Sequence, residues 1–438
     1  MTSPAPSFAP APIFAPDTIF ALATGAGQAA LAVLRLSGPR AGTALAALAG
    51  TIPPPRHASL RRLRDAAGET IDRAMVLWLP APASFTGEDC AEFFLHASRA
   101  VINAVADELV GLGARPAEPG EFSRRAFLNN KMDLLEAEAI GDLIAAETMT
   151  QARQALRQME GFLSAIYHGW ADRLRGVLAH QEALIDFPDE DLPADVETGL
   201  QTEMVALRAE IKNHLADHRR GERLRHGLVF AITGAPNVGK SSLMNALAER
   251  DVAIVSDQPG TTRDALEARI ILGGVPITLV DTAGLRDAAD AIEAEGIRRA
   301  LARAAEADLR IAVIVTGDAT PIADLVVANK IDLGGTVPED AVGISVRTGA
   351  GLDALRDKLA HTARALTQAQ GPPPLTRARH RAALLEAVER LEGATTAAWP
   401  ELRAEDLRLA MRAVGRITGE VGVEDILDAI FSQFCIGK

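Results

Sequence analysis

The chain of 438 residues is poor in cysteine, aromatic side chains and long apolar runs, and each shortage excludes a class of protein. Two cysteines, Cys90 and Cys435, cannot build a disulfide framework and suit a reducing compartment. Aromatic residues make up 4% of the sequence, which argues against a base-stacking platform for single-stranded nucleic acid. No apolar run approaches the roughly 18 residues that span a bilayer, and residues 1–16 lack the basic and apolar regions of a signal peptide. We therefore expect a soluble, cytoplasmic protein that has no membrane segment and begins with a disordered tail over residues 1–16.

Acidic residues outnumber basic residues, and arginine greatly outnumbers lysine among the basic residues. A net charge of −13 argues against a protein that coats nucleic acid without regard to sequence, although a local basic patch remains possible. Six of the 45 basic residues are lysine and the rest are arginine. Each lysine position therefore raises the question of why arginine does not serve there.

The sequence falls into regions of different periodicity, as its length also predicts. Residues 17–128 mix short strand-like runs with turns and one helical stretch, which indicates an α+β domain. Apolar residues then recur at spacings of three and four over 129–225 and again over 367–438, which is typical of amphipathic helices. Between them, residues 226–366 alternate β-branched runs with helical segments, the pattern of a parallel α/β sheet. We predict a multidomain protein in which the α/β domain is inserted into one α-helical domain.

A phosphate-binding motif identifies the class of the α/β domain. Residues 234–241 read GAPNVGKS, the P-loop pattern, between a predicted strand and a predicted helix. The glycines let the loop curl so that its N–H groups point at phosphates beside the helix N-terminus. Lys240 would contact the β- and γ-phosphates, and the Ser241 hydroxyl would bind Mg²⁺.

Three later segments select the nucleotide. DTAG at 281–284 follows an apolar strand and places the Asp281 carboxylate near the metal. NKID at 329–332 ends on Asp332, whose carboxylate can accept both N–H groups of guanine's Watson–Crick edge, at about 1.5–3 kcal/mol each. GTTRD at 260–264 lies where a switch loop would supply a threonine to Mg²⁺. In this order on one α/β domain, the segments predict a GTPase.

The residue after DTAG is Leu285, where small GTPases carry the glutamine that orients water. Charge stabilisation and water positioning must then come from elsewhere. Asn237 and the oxygen-rich segment 256–262 could coordinate a monovalent cation beside the phosphates, in place of an arginine finger.

One connection in this domain is unusually short. Only nine residues, 316–324, separate two predicted parallel strands at 311–315 and 325–328. Because a helical crossover normally takes a dozen residues or more, we predict that the crossover helix is missing or reduced to a turn.

Segments at both ends of the chain add a more specific resemblance. They read TGED at 86–89, PGEFS at 119–123, RAFLN at 125–129, KMDL at 131–134 and FCIGK at 434–438. Together with the GTPase motifs, they make the chain resemble the MnmE (TrmE) family of tRNA-modification GTPases over essentially all residues after the tail. The sequence departs from the family's usual pattern at residues 25–30 and 96–98.

The resemblance implies a folate-binding N-terminal domain that forms a constitutive homodimer, a helical domain and an inserted GTPase domain. It implies a partner, the flavoprotein MnmG, in a heterotetramer or larger complex. The pair is expected to add an aminomethyl-type group to the wobble uridine of tRNA. The one-carbon unit would come from a folate of the 5-formyl- or methylene-tetrahydrofolate type.

The resemblance also implies a set of site residues, which group by ligand. GTP would contact Asn237, Val238, Gly239, Lys240, Ser241, Ser242, Ser256, Thr261, Thr262, Asp281, Thr282, Ala283, Gly284, Asn329, Lys330, Asp332, Ser345 and Val346. Mg²⁺ would bind Ser241 and Thr262, and K⁺ would bind Asn237, Ser256, Gln258 and Thr261. Folate would contact Arg35, Glu92, Lys131 and Lys438. The catalytic candidates are Glu293, which would orient water, Lys240 and Cys435. Cys435 is either a small buried apolar residue or a thiol near the one-carbon unit.

The sequence leaves open two alternative functions and the role of two arginine clusters. The chain could be a regulatory GTPase of ribosome assembly that binds rRNA, or a non-enzymatic folate- or RNA-binding scaffold, although the intact nucleotide motifs oppose the second. Arginines cluster at 56–64 and at 219–225, and each cluster could either contact tRNA or form a solvated face.

Overall fold

The computed structural model of the chain describes residues 17–25, 27, 29–186, 195–250, 267–281, 305–368, 373–421, 424–434 and 437. Contacts divide the chain into two compact units. The first unit contains the described residues up to Gly141 together with those from Thr418 onward, and the second runs from Asp142 to Ile417. Within the described residues, no helix has the length and apolarity needed to cross a membrane.

The first unit is built on a six-stranded sheet. Its strands are β1 (Thr18–Leu22), β2 (Leu31–Ser37), β3 (Ser59–Arg64), β4 (Thr70–Leu79), β5 (Cys90–His96) and β6 (Ala114–Pro116), in the order β3-β4-β5-β2-β1-β6. All neighbours are antiparallel except β1 and β6, which are parallel. Its helices are α1 (Ala41–Ala49), α2 (Arg99–Gly111), α3 (Glu121–Leu128) and α4 (Leu134–Ala145), the last ending in the second unit.

Period-two alternation determines which face of this sheet is covered. In β4, Ala74, Val76 and Trp78 are buried while the residues between them are exposed or half-buried. Their side chains pack with β2, β5, α1 and α2 in one apolar core. The Ser98 side chain accepts a hydrogen bond from the Val101 N–H and caps α2 at its start. On the opposite face of β1, Ile19 packs with Phe122 of α3.

The last described residues of the chain pack in this first unit. A C-terminal helix, α13 (Glu424–Phe431), packs with α3 and α4 through Leu427, Phe431 and Leu134. Gly120 has a φ of +69°, and a Cβ there would collide with the Phe431 carbonyl oxygen, so this close approach requires glycine. Helical periodicity alone could not have indicated which core this helix joins.

The second unit contains a helical part and an α/β part. Its helices before the sheet are α5 (Met149–Met159), α6 (Phe162–Asp186), α7 (Asp195–Leu215) and α8 (Arg220–His226). After the sheet come α11 (Ala378–Thr396) and α12 (Pro400–Thr418). Arg381 of α11 forms ion pairs with Asp217 at 2.6 Å and with Glu222 at 2.7 Å. Helices on both sides of the α/β part in sequence therefore pack together in space.

The α/β part is a second six-stranded sheet. Its strands are β7 (Leu228–Thr233), β8 (Glu267–Leu272), β9 (Val275–Asp281), β10 (Leu309–Val315), β11 (Leu325–Asn329) and β12 (Ala341–Gly343), in the order β12-β11-β10-β7-β9-β8. Only β8 is antiparallel to its neighbour. The helices α9 (Lys240–Arg250) and α10 (Leu352–Thr367) pack with it around Phe230, Ile232 and Leu355.

The prediction of a missing crossover helix is confirmed. Residues 316–324 form turns and irregular backbone, and they join β10 to β11, which pair in parallel from Ile311 opposite Leu325. At both ends of this connection, a carboxylate accepts a hydrogen bond from a backbone N–H group of β10. Asp318 accepts from the Val315 N–H at 3.2 Å, and Asp324 accepts from the Arg310 N–H at 2.8 Å.

Candidate functional site

The phosphate-binding loop after β7 depends on glycine at two positions. Gly234 has a φ of +143° and Gly239 a φ of +101°. A Cβ on Gly234 would collide with the Val313 carbonyl oxygen, and one on Gly239 would collide with the Asn329 side-chain amide. The motif glycines therefore let the loop curl at the carboxyl end of the sheet, as the sequence pattern predicts.

Lys240 and Ser241 occupy the positions expected of a nucleotide site. Lys240 is 5% exposed, and its ammonium donates to the Ala235 carbonyl oxygen at 2.7 Å inside the loop. The Ser241 hydroxyl donates to the Asp281 carboxylate at 2.8 Å. Asp281 is buried at the end of β9. The structure thus brings together two oxygen donors of the kind that Mg²⁺ prefers.

Asn329 joins the base-recognition segment to the rest of the site. Its amide donates to the Val238 carbonyl oxygen at 2.8 Å. Its side-chain oxygen accepts from the N–H groups of Lys330 at 2.8 Å and Val346 at 3.2 Å. Lys330 in turn donates from its ammonium to the Asn237 carbonyl oxygen at 2.8 Å. Three segments that are distant in sequence therefore meet at one end of the sheet.

Asp332 is oriented by two neighbours. The Ser345 hydroxyl donates to one carboxylate oxygen at 2.6 Å, and the Arg347 guanidinium lies 3.3 Å from the other. The Ser345 hydrogen bond is the main cause that lowers the pKa of Asp332. The carboxylate is therefore ionised at neutral pH, the form that can accept two N–H groups from a base.

Several predicted site residues lie outside the described part of the chain, and their assignments stay predictions. They are Ser256, Gln258, Thr261, Thr262, Thr282, Ala283, Gly284, Glu293, Cys435 and Lys438. Ser242 is described and lies exposed in the first turn of α9.

The first unit brings two of the other predicted residues together. Arg35 of β2 and Glu92 of β5 are opposite each other in the sheet, and the Arg35 Nε donates to Glu92 at 3.0 Å. Both side chains are partly accessible. The Arg35 guanidinium lies 5.2 Å from the centroid of the Phe85 ring and 5.8 Å from that of the Phe122 ring. Phe122 is fully buried, so the pair combines hydrogen-bonding capacity with one accessible flat apolar surface, the half-buried ring of Phe85.

Lys131 and the chain end lie in the same unit. The Lys131 ammonium donates to the Pro82 carbonyl oxygen at 3.0 Å, and its stem would contact a Cβ placed on Gly87. Gly437 is buried, with a φ of +98°, and a Cβ there would collide with the Leu22 carbonyl oxygen. Leu22 pairs with Leu34, the residue before Arg35, so Gly437 lies at the strand beside the Arg35–Glu92 pair.

A buried ion network near this pair had no part in the sequence predictions. Arg125 contacts Asp17 at 2.7 Å, Glu121 at 2.9 Å and Glu88 at 3.2 Å. Burial would raise the pKa of Glu121, but hydrogen bonds from Arg115 and Arg125 outweigh burial and lower it. Glu88, Glu121 and Arg125 stand within the sequence segments that carry the family resemblance, but only the fold shows that they meet one another and Asp17. The network fixes α3, and with it Phe122, against the sheet.

The structure offers no cluster of three or more histidine, cysteine or acidic side chains suited to a metal ion, as far as the described residues extend.

Comparisons with known proteins match most of the chain. A family model described as the MnmE helical domain matches residues 134–435, and one described as the GTP-binding protein TrmE N-terminus matches residues 18–131. A protein of Gluconacetobacter diazotrophicus named tRNA modification GTPase MnmE is 62% identical over 95% of this chain and 98% of that relative. Proteins of the same name from Granulibacter bethesdensis and Rhodospirillum rubrum are 55% and 53% identical over the same shares.

Solved structures are similar to the chain more distantly. The G domain of the T. maritima FeoB iron transporter is 26% identical, covers 31% of this chain and 98% of that chain, and has a TM-score of 0.22. A GTP-binding protein from Sulfolobus solfataricus in complex with GDP is 17% identical, covers 61% of this chain and 78% of that chain, and also has a TM-score of 0.22.

Proposed function

Because the chain belongs to the MnmE family of tRNA modification GTPases, we propose that it hydrolyses GTP and works with the flavoprotein MnmG on the wobble uridine of tRNA. The pair adds an aminomethyl-type group whose carbon comes from a folate of the 5-formyl- or methylene-tetrahydrofolate type. The protein acts as a cytoplasmic homodimer within a heterotetramer or larger complex. The observation that carries the proposal is the meeting of the P-loop, Asp281, Asn329 and the 345–346 segment at one end of the sheet.

Selection of GTP over ATP depends on the side chains at this end of the sheet. The ionised Asp332 carboxylate can accept both donors of the guanine edge, which adenine does not present. Asn329 holds the base segment at a set distance from the phosphate loop through Val238. Lys240, already inside the loop, supplies positive charge where the β- and γ-phosphates would lie.

The residues present also fit the proposed ions. Ser241 and Asp281 are oxygen donors at the end of the sheet and would hold Mg²⁺, together with Thr262. Bound Mg²⁺ would neutralise charge on the phosphates. Asn237 in the P-loop, with Ser256, Gln258 and Thr261, would hold K⁺.

The Leu285 side chain has no polar group to orient water, and the family resemblance assigns that role to Glu293. Equal turnover in sodium and potassium buffers would contradict the potassium assignment. Turnover in potassium that falls by an order of magnitude or more in sodium would support it.

Folate binding is supported by the groups around Arg35. A carboxylate such as Glu92 suits the N–H groups of a pterin ring, and the half-buried ring of Phe85 offers it flat apolar contact. The glutamyl carboxylates of a folate suit the cations Arg35, Lys131 and Lys438. Cys435 is the proposed thiol near the one-carbon unit.

The scarcity of lysine permits a matched test of the folate site. Lys131→Met and Lys438→Met are expected to weaken binding of 5-formyl-tetrahydrofolate by tenfold or more, measured by calorimetry. Lys358→Met removes an exposed lysine of α10 in the other unit and serves as the control. Equal affinities in all three variants would contradict the assignment.

The overall function is tested by nucleoside analysis of tRNA from cells that lack the protein. Loss of the wobble-uridine modification, restored by the wild-type chain and not by Lys240→Ala, is the expected result. Normal modification in the deletion strain would overturn the proposal. Normal modification with an altered ribosomal-subunit profile would favour the regulatory GTPase of ribosome assembly.

A further inference from the structure

The hairpin of β3 and β4 presents an unusual outer face in the first unit. Leu63, Ala74 and Val76 point into the core, so the residues between them point to solvent. We call this solvent-facing set the basic hairpin face; it consists of Leu60, Arg62, Arg64, Arg73 and Met75. All five residues are exposed.

Two of its arginines are placed against each other. Arg62 lies directly opposite Arg73 in the antiparallel register. Like charges at directly opposed positions destabilise a sheet unless a counter-charge relieves them. Neither Arg62, Arg64 nor Arg73 forms an ion pair within the part of the chain that the structure describes. The nearby carboxylate of Asp72 is buried and engaged by His96, whose backbone N–H donates to it at 2.9 Å.

The second arginine cluster of the sequence behaves differently. Arg219 pairs with Glu222 at 3.0 Å, Arg223 with Asp308 at 2.8 Å and Arg225 with Asp142 at 2.7 Å. Arg219 and Arg225 are paired within the helical part of the second unit, and Arg223 connects that part to the residue before β10. The two clusters look alike in sequence, but three of the four arginines at 219–225 are paired within the fold, whereas Arg62, Arg64 and Arg73 form no ion pair among the described residues.

We propose that the basic hairpin face binds the phosphate backbone of RNA, and specifically the tRNA that the proposed function takes as substrate. The planar guanidinium fork matches phosphate oxygens, and its face can stack on unpaired bases. A phosphate bound between Arg62 and Arg73 supplies the counter-charge that the fold leaves out. Because the whole chain carries −13, RNA is attracted only where positive charge is concentrated.

A second copy of the chain fits this face less well. A two-fold contact centred on it would bring the arginine pair of one copy against the arginine pair of the other. The remaining alternative is that the arginines protect an edge strand. Since β3 lies at the edge of the sheet, charged residues on it would prevent pairing with a strand of another molecule. That role predicts no effect of the arginines on RNA affinity.

The test compares full-length variants by fluorescence anisotropy with an unmodified tRNA transcript over a range of salt concentrations. Arg62→Gln/Arg73→Gln is expected to weaken binding about tenfold at low salt. It should also reduce the slope of log affinity against log salt by roughly 1.5 to 2, because two phosphate contacts are lost. Its melting temperature should be unchanged or higher, since a like-charge pair is removed.

The matched control is Arg153→Gln/Arg157→Gln. It removes two exposed arginines of α5 in the other unit, and these form no ion pair among the described residues. Arg62→Lys/Arg73→Lys should retain most of the affinity, because the positive charge is kept. An equal loss in the α5 control, or wild-type affinity in the hairpin variant, would overturn the proposal.

These outcomes separate the hairpin from the proposed function on which it rests. If the wild-type chain binds tRNA and the hairpin variant binds equally well, only the hairpin assignment fails. If the wild-type chain binds no tRNA, the hairpin assignment fails, and the tRNA step of the proposed function loses its direct contact with this chain. GTP hydrolysis is expected to be the same in all variants.

Discussion

The side-chain amide of Asn329 donates a hydrogen bond to the backbone carbonyl oxygen of Val238 at 2.8 Å. It thereby connects the 329–332 segment, which is proposed to recognise the base, to the loop that is proposed to bind the phosphates. The amide lies so close to Gly239 that any Cβ there would collide with it. The position of the loop and the identity of its second glycine thus depend on one asparagine.

Replacement of Asn329 by alanine is expected to weaken both the fold and nucleotide binding. Asn329 is buried, and its loss leaves the Val238 carbonyl and the Val346 N–H without their partner, at about 1–3 kcal/mol for each unsatisfied group. Affinity for GDP, measured by fluorescence titration, should fall at least tenfold. Asn329→Asp keeps an acceptor for Val346 but loses the donor, so an intermediate loss is expected. Unchanged affinity in both variants would contradict this role.

The pH dependence of GTP binding should respond to Ser345. Its hydroxyl lowers the pKa of Asp332, and ionised Asp332 is the form that is proposed to accept the guanine donors. Binding is therefore maintained above the lowered pKa and is lost as the pH falls through it. In Ser345→Ala the pKa of Asp332 should rise, so the acid limb of a plot of GDP affinity against pH should move to higher pH. Thr362→Ala, which removes an exposed hydroxyl of α10, should leave the limb in place.

Part of this site could be predicted because its chemistry lies in short segments. The P-loop, DTAG and NKID segments each carry their donors and acceptors within a few residues, and each follows a recognisable strand. The missing crossover helix could be predicted from length, since residues 316–324 are too few for a helical connection. The pair Arg35 and Glu92 came only from the family resemblance.

The remaining features depend on contacts between residues far apart in sequence. The Asn329–Val238 bond spans 91 positions, and that of Arg125 with Asp17 spans 108. No local pattern indicates such a partner. Residues 367–438 were assigned to the helical domain by their periodicity, whereas the described residues from Thr418 onward group with the first unit. An amphipathic pattern shows that a helix has a buried face, and only the fold shows what buries it.

The ion network around Arg125 is expected to stabilise the first unit. Arg125→Met would remove the least exposed cation of the network and leave Arg115 as the remaining ion partner of Asp17 and Glu121, so a loss of about 1–3 kcal/mol in the free energy of unfolding is expected. Urea unfolding of the full-length protein measures this change. Arg408→Met, which removes an exposed ion-paired arginine, should have little effect.

The same network gives the first unit an acid-sensitive component. Burial would raise the pKa values of Asp17 and Glu121, but the arginine hydrogen bonds and charges outweigh burial and lower both. The network therefore contributes stability above the ordinary carboxyl pKa of about 4, and the contribution is lost as the pH falls below it. Arg125→Met should flatten the stability profile between about pH 5 and pH 2. A wild-type slope in the variant would contradict the assignment.

The position of Gly437 provides a test of the chain end. Its φ of +98° and its contact with the Leu22 carbonyl leave no room for a Cβ. Gly437→Ala should therefore displace the C-terminal residues from β1 and weaken folate binding several-fold, while GTP hydrolysis in the other unit continues at the wild-type rate. Gly176→Ala is the matched control, because Gly176 lies in α6 with no atom near its hypothetical Cβ.

The two glycine variants distinguish a positional requirement from a general effect of added bulk. Gly176→Ala should leave folate affinity unchanged and raise stability slightly, since alanine favours helix over glycine by about 1 kcal/mol. If Gly437→Ala binds 5-formyl-tetrahydrofolate as tightly as the wild type, the chain end has no part in the folate site. If both folate binding and GTP hydrolysis fall, the effect is not confined to the first unit, which contradicts a specific role of Gly437 in the folate site.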